Sequence, residues 1–221
     1  MYKYFVKRLF DLILSSVAIV ALFLPMLIIA IAIKIDDPGP ILFKQKRVGK
    51  KKNGEITYFM IWKFRSMKMS TPHDTPTHLL KDPEQYITRV GRFIRKMSLD
   101  ELPQIYQVFT SKLSIVGPRP ALWSQEDLMA ERDKYGANDI KPGITGWAQI
   151  NGRDELEIDV KARFDGEYAS ALNVGNFKGF LMDTKCFFGT VVSVLRSDGV
   201  VEGGTGEMKK RNKEKKQTHK L

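Results

Sequence analysis

The chain has 221 residues, enough for one sizeable domain with an appendage, and its 36 Lys and Arg against 25 Asp and Glu give a net charge of +11. A single cysteine, Cys186, excludes an internal disulfide, and no Cys/His cluster has zinc spacing. The three histidines, His73, His78 and His219, lie in polar loop or tail sequence, so histidine-based catalysis is not indicated. The positive charge calls for an acidic partner but is uneven. Residues 208–221 hold seven Lys and Arg against one Glu, or +6, which leaves +5 for the other 207 residues. That segment reads as a solvated, disordered tail suited to an anionic surface.

From 12 to 33 the chain runs 22 residues without a charge, LILSSVAIVALFLPMLIIAIAI. A helix needs roughly 20 residues to cross a bilayer. A signal peptide also begins with basic residues, but this apolar run is too long and no small-residue cleavage site precedes Lys34, so the segment reads as retained. Pro25 removes one helical hydrogen bond, at a cost on the order of 3 kcal/mol unless repaired. A kinked spanning helix is the ordinary accommodation. The flanks argue for another: Lys3, Lys7 and Arg8 stand before the run, and Lys34, Lys44, Lys46, Arg47 and Lys50 to Lys52 after it. The positive-inside rule assigns both ends to the cytoplasm. A re-entrant helix broken at Pro25, returning to the face it entered, satisfies both flanks but exposes backbone polar groups to lipid.

Beyond Lys34, Ile41-Leu42-Phe43 and residues 56–62 read as short strands joined by the basic turn VGKKKNGE, a β-hairpin. Residues 70–83 are polar, with three prolines, and read as a loop. In RVGRFIRKM, Val90, Phe93, Ile94 and Met97 fall at helical spacing between Arg89, Arg92, Arg95 and Lys96, a basic amphipathic helix. The pattern restarts with Leu102, Ile105, Tyr106 and Phe109; either stripe packs a core or lies along a membrane surface. A late amphipathic stretch carries Phe187, Phe188, Val191 and Leu195 on one side, which we assign to the core ahead of the membrane. The EGGTGE segment lacks a following Lys and apolar helix and reads as linker. The expected architecture is α+β and mostly helical: a membrane helix over 1–35, a catalytic domain over 36–200 and a basic tail over 201–221.

Three clusters carry more than packing requires. In SLDELPQ, Asp100 and Glu101 stand side by side near Arg95. Ser98 with Glu101 also has the spacing of a capping box, which satisfies free backbone N–H groups at a helix start. In VGPRP two prolines hold Arg119 in a stiff turn, suited to bidentate phosphate binding or simply to a helix exit. In KPGITGWAQINGR, three glycines and Pro142 imply backbone approached closely, between Lys141 and Arg153; such loops cradle phosphates, as well as forming plain turns. A carboxylate at the first turn of a helix feels the positive end of its dipole, and Arg95 further favours its ionised form. An ionised Asp is a competent nucleophile for phosphorus and a hard ligand for Mg²⁺. Together the clusters describe phosphoryl chemistry on a lipid.

With these motifs, from KRLFDLILS through SLDELPQ, VGPRP and PGITGWAQINGR to about Arg196, the chain resembles the bacterial sugar transferases, monotopic polyprenyl-phosphate phosphoglycosyl transferases, in a minimal catalytic form. The resemblance implies transfer of a sugar-1-phosphate from a UDP-sugar to undecaprenyl phosphate with release of UMP, the first membrane step of surface glycan assembly. It implies Asp100 as the nucleophile that forms a covalent phosphosugar intermediate, Glu101 as a second catalytic carboxylate, and Mg²⁺ as cofactor on Asp100 and Glu101. Lys63, Arg65, Arg95, Arg119, Pro142, Gly143, Thr145, Gly146 and Arg153 become phosphate and nucleotide positions. It favours the re-entrant helix in the bacterial inner membrane, with the catalytic domain on the cytoplasmic face among bilayer lipids. Downstream glycosyltransferases and an oligomer fit as partners; nucleic acid does not. Two departures stand out. The Ser-Pro pair that marks the family's helix break is Leu24-Pro25 here, so backbone repair falls to another group such as Ser15 or Ser16. The late Asp-Leu-Lys-Ile motif reads Asp183-Thr184-Lys185-Cys186, retaining Asp183 and Lys185 in a supporting role. Nothing in the sequence names the sugar.

Overall fold

The 22-residue apolar run folds as helix. The computed structural model describes residues 2–71, 83–152 and 156–195; the 201–221 tail, His73, His78 and Arg153 lie outside them. After one wide turn at Tyr2–Val6, α1 spans Lys7–Asp36 and is long and apolar enough to cross a membrane. Helix continues through Pro25, which is exposed, so the break expected there is not seen. Neither serine repairs that site: Ser15 and Ser16 both donate back to the Leu12 carbonyl, the local bond short hydroxyl side chains make inside helices.

The expected hairpin forms. β1 (Leu42–Val48) pairs antiparallel with β2 (Tyr58–Phe64) in the register Leu42↔Phe64 to Val48↔Tyr58. Asn53 and Gly54, both at positive φ, turn the connection. Next come α2 (Arg89–Lys96) and α3 (Gln104–Phe109), then β3 (Ser114–Val116) and α4 (Glu126–Asp133). β4 (Gly143–Thr145) lies parallel to β3, a pairing that three-residue strands do not announce in sequence. α5 (Trp147–Ile150), α6 (Ile158–Val174) and α7 (Asn176–Leu195) follow. The described chain is thus mostly helical, with two small sheets.

Both apolar stripes after Arg89 are divided. Val90 and Ile94 of α2 pack with Phe64 and with Met26, Ile29 and Ile33 of α1, whereas Phe93 and Met97 stay exposed. On α7 the expectation is corrected. Phe187, Phe188 and Val191 are exposed, while Gly179, Asp183, Cys186 and Gly189 face inward. Small residues at helical spacing let α7 lie close to Leu172 of α6 and Ile150 of α5, and close packing, not side-chain size, selects the buried face.

α1 is fastened to this body at both ends. Lys7 pairs with Asp183 of α7 at 2.8 Å, Arg8 donates to the carbonyls of Val108 and Phe109, and buried Asp11 accepts from Ser114 Oγ and the Ile115 amide. At the other end Asp36 accepts from the Val90 amide at 2.8 Å. The outward side keeps Phe10, Val17, Val20, Phe23 and Leu24 exposed.

Candidate active site

SLDELPQ is not a capping box. Ser98 has φ +54°, the left-handed geometry that ends a helix, and its N–H donates to the Arg95 carbonyl at 3.0 Å, so it closes α2 instead of opening α3. An N-cap needs extended backbone there. Leu99–Glu101 then make one 3-10 turn before α3. The Glu101 side chain turns to charged partners: Oε1 lies 2.8 Å from Arg119 Nη2 and 2.9 Å from Lys63 Nζ, and Oε2 accepts from Arg119 Nη1 at 3.4 Å. Charge-assisted bonds of this kind are roughly twice as strong as the neutral cap they displace.

Asp100 is 5% exposed, and its Oδ2 lies 3.9 Å from Lys63 Nζ. Lys63 supports its charge, and the turn that carries it is a single 3-10 turn, not the start of the long helix whose dipole the sequence suggests. For Glu101, burial alone would raise the pKa, but the opposing charges of Arg119 and Lys63 outweigh it and hold the carboxyl well below the ordinary range. The site therefore assembles two carboxylates and two cations from three separate segments.

Each segment is held for a reason. β2 turns Phe59 and Ile61 into a cluster with Val108 and Leu113, so Lys63, two residues on, emerges on the same side. Gln107, buried on α3, accepts the Trp62 amide at 2.9 Å and donates to the Met60 carbonyl at 2.7 Å, standing in for a neighbouring strand. Arg119 sits in VGPRP directly after β3. The close approach implied by the glycines of PGITG is made by that turn. A Cβ at Gly143 would lie 2.1 Å from Gly117 N, and one at Gly146 would lie 2.2 Å from Gly117 O. Pro142, Gly143, Thr145 and Gly146 are all buried against it, with Gly117 N donating to Thr145 O and Gly143 N to Pro118 O.

Sequence reading missed the support behind Arg119. Arg132 of α4, 3% exposed, donates to the Arg119 carbonyl at 3.0 Å and pairs with Asp165 of α6 at 2.6 Å. Burial raises the Asp165 pKa, the Arg132 charge opposing. An Arg in a charged helix (EDLMAERD) carries no motif; only its burial separates it from a solvated neighbour. Arg65 is bonded to Asp37 Oδ2 at 2.7 Å, locking the chain after α1. Arg95 lies in the last turn of α2. Asp183 accepts from Tyr2 OH and Tyr168 OH, both at 2.6 Å, and Tyr168 OH also bonds the Val116 carbonyl, so it braces β3 from behind. Lys185 is exposed on α7. Among the described residues no three His, Cys, Asp or Glu side chains form a metal cluster.

The chain is similar to known proteins over most of its length. The profile of the family described as "Bacterial sugar transferase" matches residues 2–197. The uncharacterized sugar transferase EpsL of Bacillus subtilis is 38% identical over 194 residues, 88% of this chain and 89% of that protein. The UDP-glucose:undecaprenyl-phosphate glucose-1-phosphate transferase of Escherichia coli is 40% identical over 169 residues, 73% of this chain but only 35% of its own length. The exopolysaccharide production protein PSS of Rhizobium leguminosarum is 38% identical over 198 residues, 86% of this chain and 94% of that protein. The chain thus spans most of the small relatives and about a third of the longer one.

Proposed function

The chain belongs to the bacterial sugar transferase family, and from that premise we propose that it moves a sugar-1-phosphate from a UDP-sugar to undecaprenyl phosphate, releasing UMP. The observation that carries the reading is Asp100, buried and beside Lys63, in one cluster with Glu101 and Arg119. An Asp oxygen attacks the sugar-bearing phosphorus of the UDP-sugar. The new Asp–O–P bond forms as the bond to the bridging oxygen breaks, and that oxygen leaves with UMP. An oxygen of undecaprenyl phosphate then attacks the same phosphorus, the Asp–O–P bond breaks, and the carboxylate is regenerated with a sugar diphospho-lipid as product.

Glu101 holds Arg119 and Lys63 together, and their positive charge is what a diphosphate substrate needs as negative charge builds on the transferred group. Asp100 fits Mg²⁺, an ion that takes one or two carboxylates and completes its shell with substrate phosphates and water, and there it would neutralise diphosphate charge. Glu101, already bonded to Lys63 and Arg119, would act on such an ion through the cations it holds. We read α1 as re-entrant. Both its ends bind one body, and its exposed face, with Phe93, Met97, Phe109, Phe180 and Phe188 on other helices, suits the cytoplasmic leaflet of the inner membrane.

UMP release from a panel of UDP-sugars with undecaprenyl phosphate tests the activity and names the sugar. Asp100→Asn is expected to lower turnover about a thousandfold or more. Wild-type enzyme given UDP-sugar without acceptor is expected to gain the mass of one phosphosugar on the peptide containing Asp100. Turnover near wild type in Asp100→Asn overturns the nucleophile.

A further inference from the structure

A second concentration of charge lies at the other end of α3, a helix about 9 Å long. A cleft of about 250 Å³ opens there between the first turns of α1, Ser111 and Ser114, and the segment entering β4; Lys3, Lys7, Arg8, Lys50 and Lys141 line it against two carboxylates, Asp11 and Asp139. The cations outnumber the anions that could neutralise them. Asp11 spends its oxygens on Ser114 Oγ and the Ile115 amide. Lys7 is paired with Asp183, but Arg8 is bound to two neutral carbonyls and Lys3 to the Asn173 side-chain oxygen, so their charge remains. Half-buried Lys141 records the crowding: burial pushes its ammonium below the ordinary value, Arg8, Lys50 and Lys7 push the same way, and Asp11 opposes.

We propose that this cleft is a phosphate-binding site, distinct from the Asp100 cluster, whose ligand is either the headgroup phosphate of an acidic lipid or free phosphate. A phosphate brings the missing negative charge and acceptors for several ammonium and guanidinium donors at once. Exposed Tyr4, Phe5, Leu9 and Phe10 on the adjoining turns present apolar surface beside it, which favours the lipid. That choice rests on the membrane reading of α1; the phosphate site itself does not.

The test uses the full chain in an uncharged detergent, with melting temperature followed against short-chain phosphatidylglycerol, short-chain phosphatidylcholine and inorganic phosphate. Wild type is compared with the Lys50→Gln, Lys141→Gln double variant. Phosphatidylglycerol is expected to raise the melting temperature saturably, phosphatidylcholine not, and the double variant to bind about tenfold more weakly or worse. A saturable rise with inorganic phosphate, likewise lost in the variant, also supports the site and identifies free phosphate as its ligand. The unliganded variant is expected to melt no lower than wild type, because it sheds repulsion. Lys50→Gln alone, expected to bind severalfold more weakly, carries the test if the double variant does not fold. No rise with either anionic ligand, or equal rises in wild type and variant, overturns the proposal. Asp100→Asn is expected to bind as wild type does, so failure of the catalytic reading is distinguished from failure of this one.

Discussion

Glu101 decides how the carboxylate pair divides its labour. Its neighbour Asp100 is the buried group beside Lys63, while Glu101 neutralises Lys63 and Arg119. Glu101→Gln keeps the shape and removes the charge, leaving two cations facing each other in a half-buried site. Breaking such a pair costs about 3 kcal/mol, and turnover is expected to fall severely, read as UMP release. The pH dependence has a definite sign. The folded-state pKa of Glu101 lies below the ordinary 4.5, so its contribution to stability is complete above the unfolded value and is lost as pH falls toward the folded one. Denaturant unfolding of wild type and Glu101→Gln is therefore expected to show a constant gap from pH 5 to 7 that narrows below pH 4.5. A gap that stays constant down to pH 3 removes Glu101 from this role.

At the scale of elements, what was legible in the sequence is what depends on periodicity and turn chemistry. The hairpin shows as two short strand-like runs either side of a Gly/Asn turn, Asn53-Gly54 supplies the positive φ that its connection needs, and the apolar run between basic flanks reads directly as α1. What was illegible depends on partners distant in sequence. Ser98 and Glu101 have capping-box spacing, and Arg119, eighteen residues on, together with Lys63 of β2 diverts Glu101 from it. The buried side of α7 could not be read because its aromatic stripe is more conspicuous than the Gly179, Cys186 and Gly189 that make the contact. Arg132 and Asp165 find each other across 33 residues. The glycines of PGITG do mark a close backbone approach, and the neighbour is the VGPRP backbone. This gives a sharp expectation. Gly143→Ala places a methyl 2.1 Å from a backbone nitrogen that cannot retreat without moving Arg119, so thermal or denaturant unfolding should show a loss of about 3 kcal/mol together with turnover. Gly175→Ala, with nothing within 4 Å of its new methyl, should stay within about 0.5 kcal/mol of wild type. Equal stabilities for the two variants would remove the close approach of β4 to the Arg119 turn.

For the whole molecule the governing fact is that residues before and after the apolar helix belong to one folded body. Tyr2 OH bonds Asp183, Lys3 bonds Asn173 and Arg8 bonds the end of α3. Thirty residues on, Asp36 and Asp37 bond Val90 and Arg65. A helix crossing the bilayer once would carry residues 2–8 to the opposite face and strip the charges of Lys3, Lys7 and Arg8 of these partners. A helix whose two ends both stay on the side of this body keeps every bond and leaves its apolar face to lipid. Pro25 lies among the exposed positions, where a missing N–H disturbs no contact with the body. Cysteine accessibility separates the two topologies cleanly, because Cys186, the one native thiol, is fully buried and its pKa is pushed up to about 12, first by burial and then by Asp183. Tyr4→Cys before α1 and Lys52→Cys in the hairpin turn both place an exposed thiol outside the apolar helix. With a membrane-impermeant maleimide, both are expected to label in inverted vesicles and neither in intact spheroplasts. Labelling of Tyr4→Cys from outside, with Lys52→Cys still inside, would show a single crossing and require the contacts of Tyr2, Lys3 and Arg8 to be absent in the membrane.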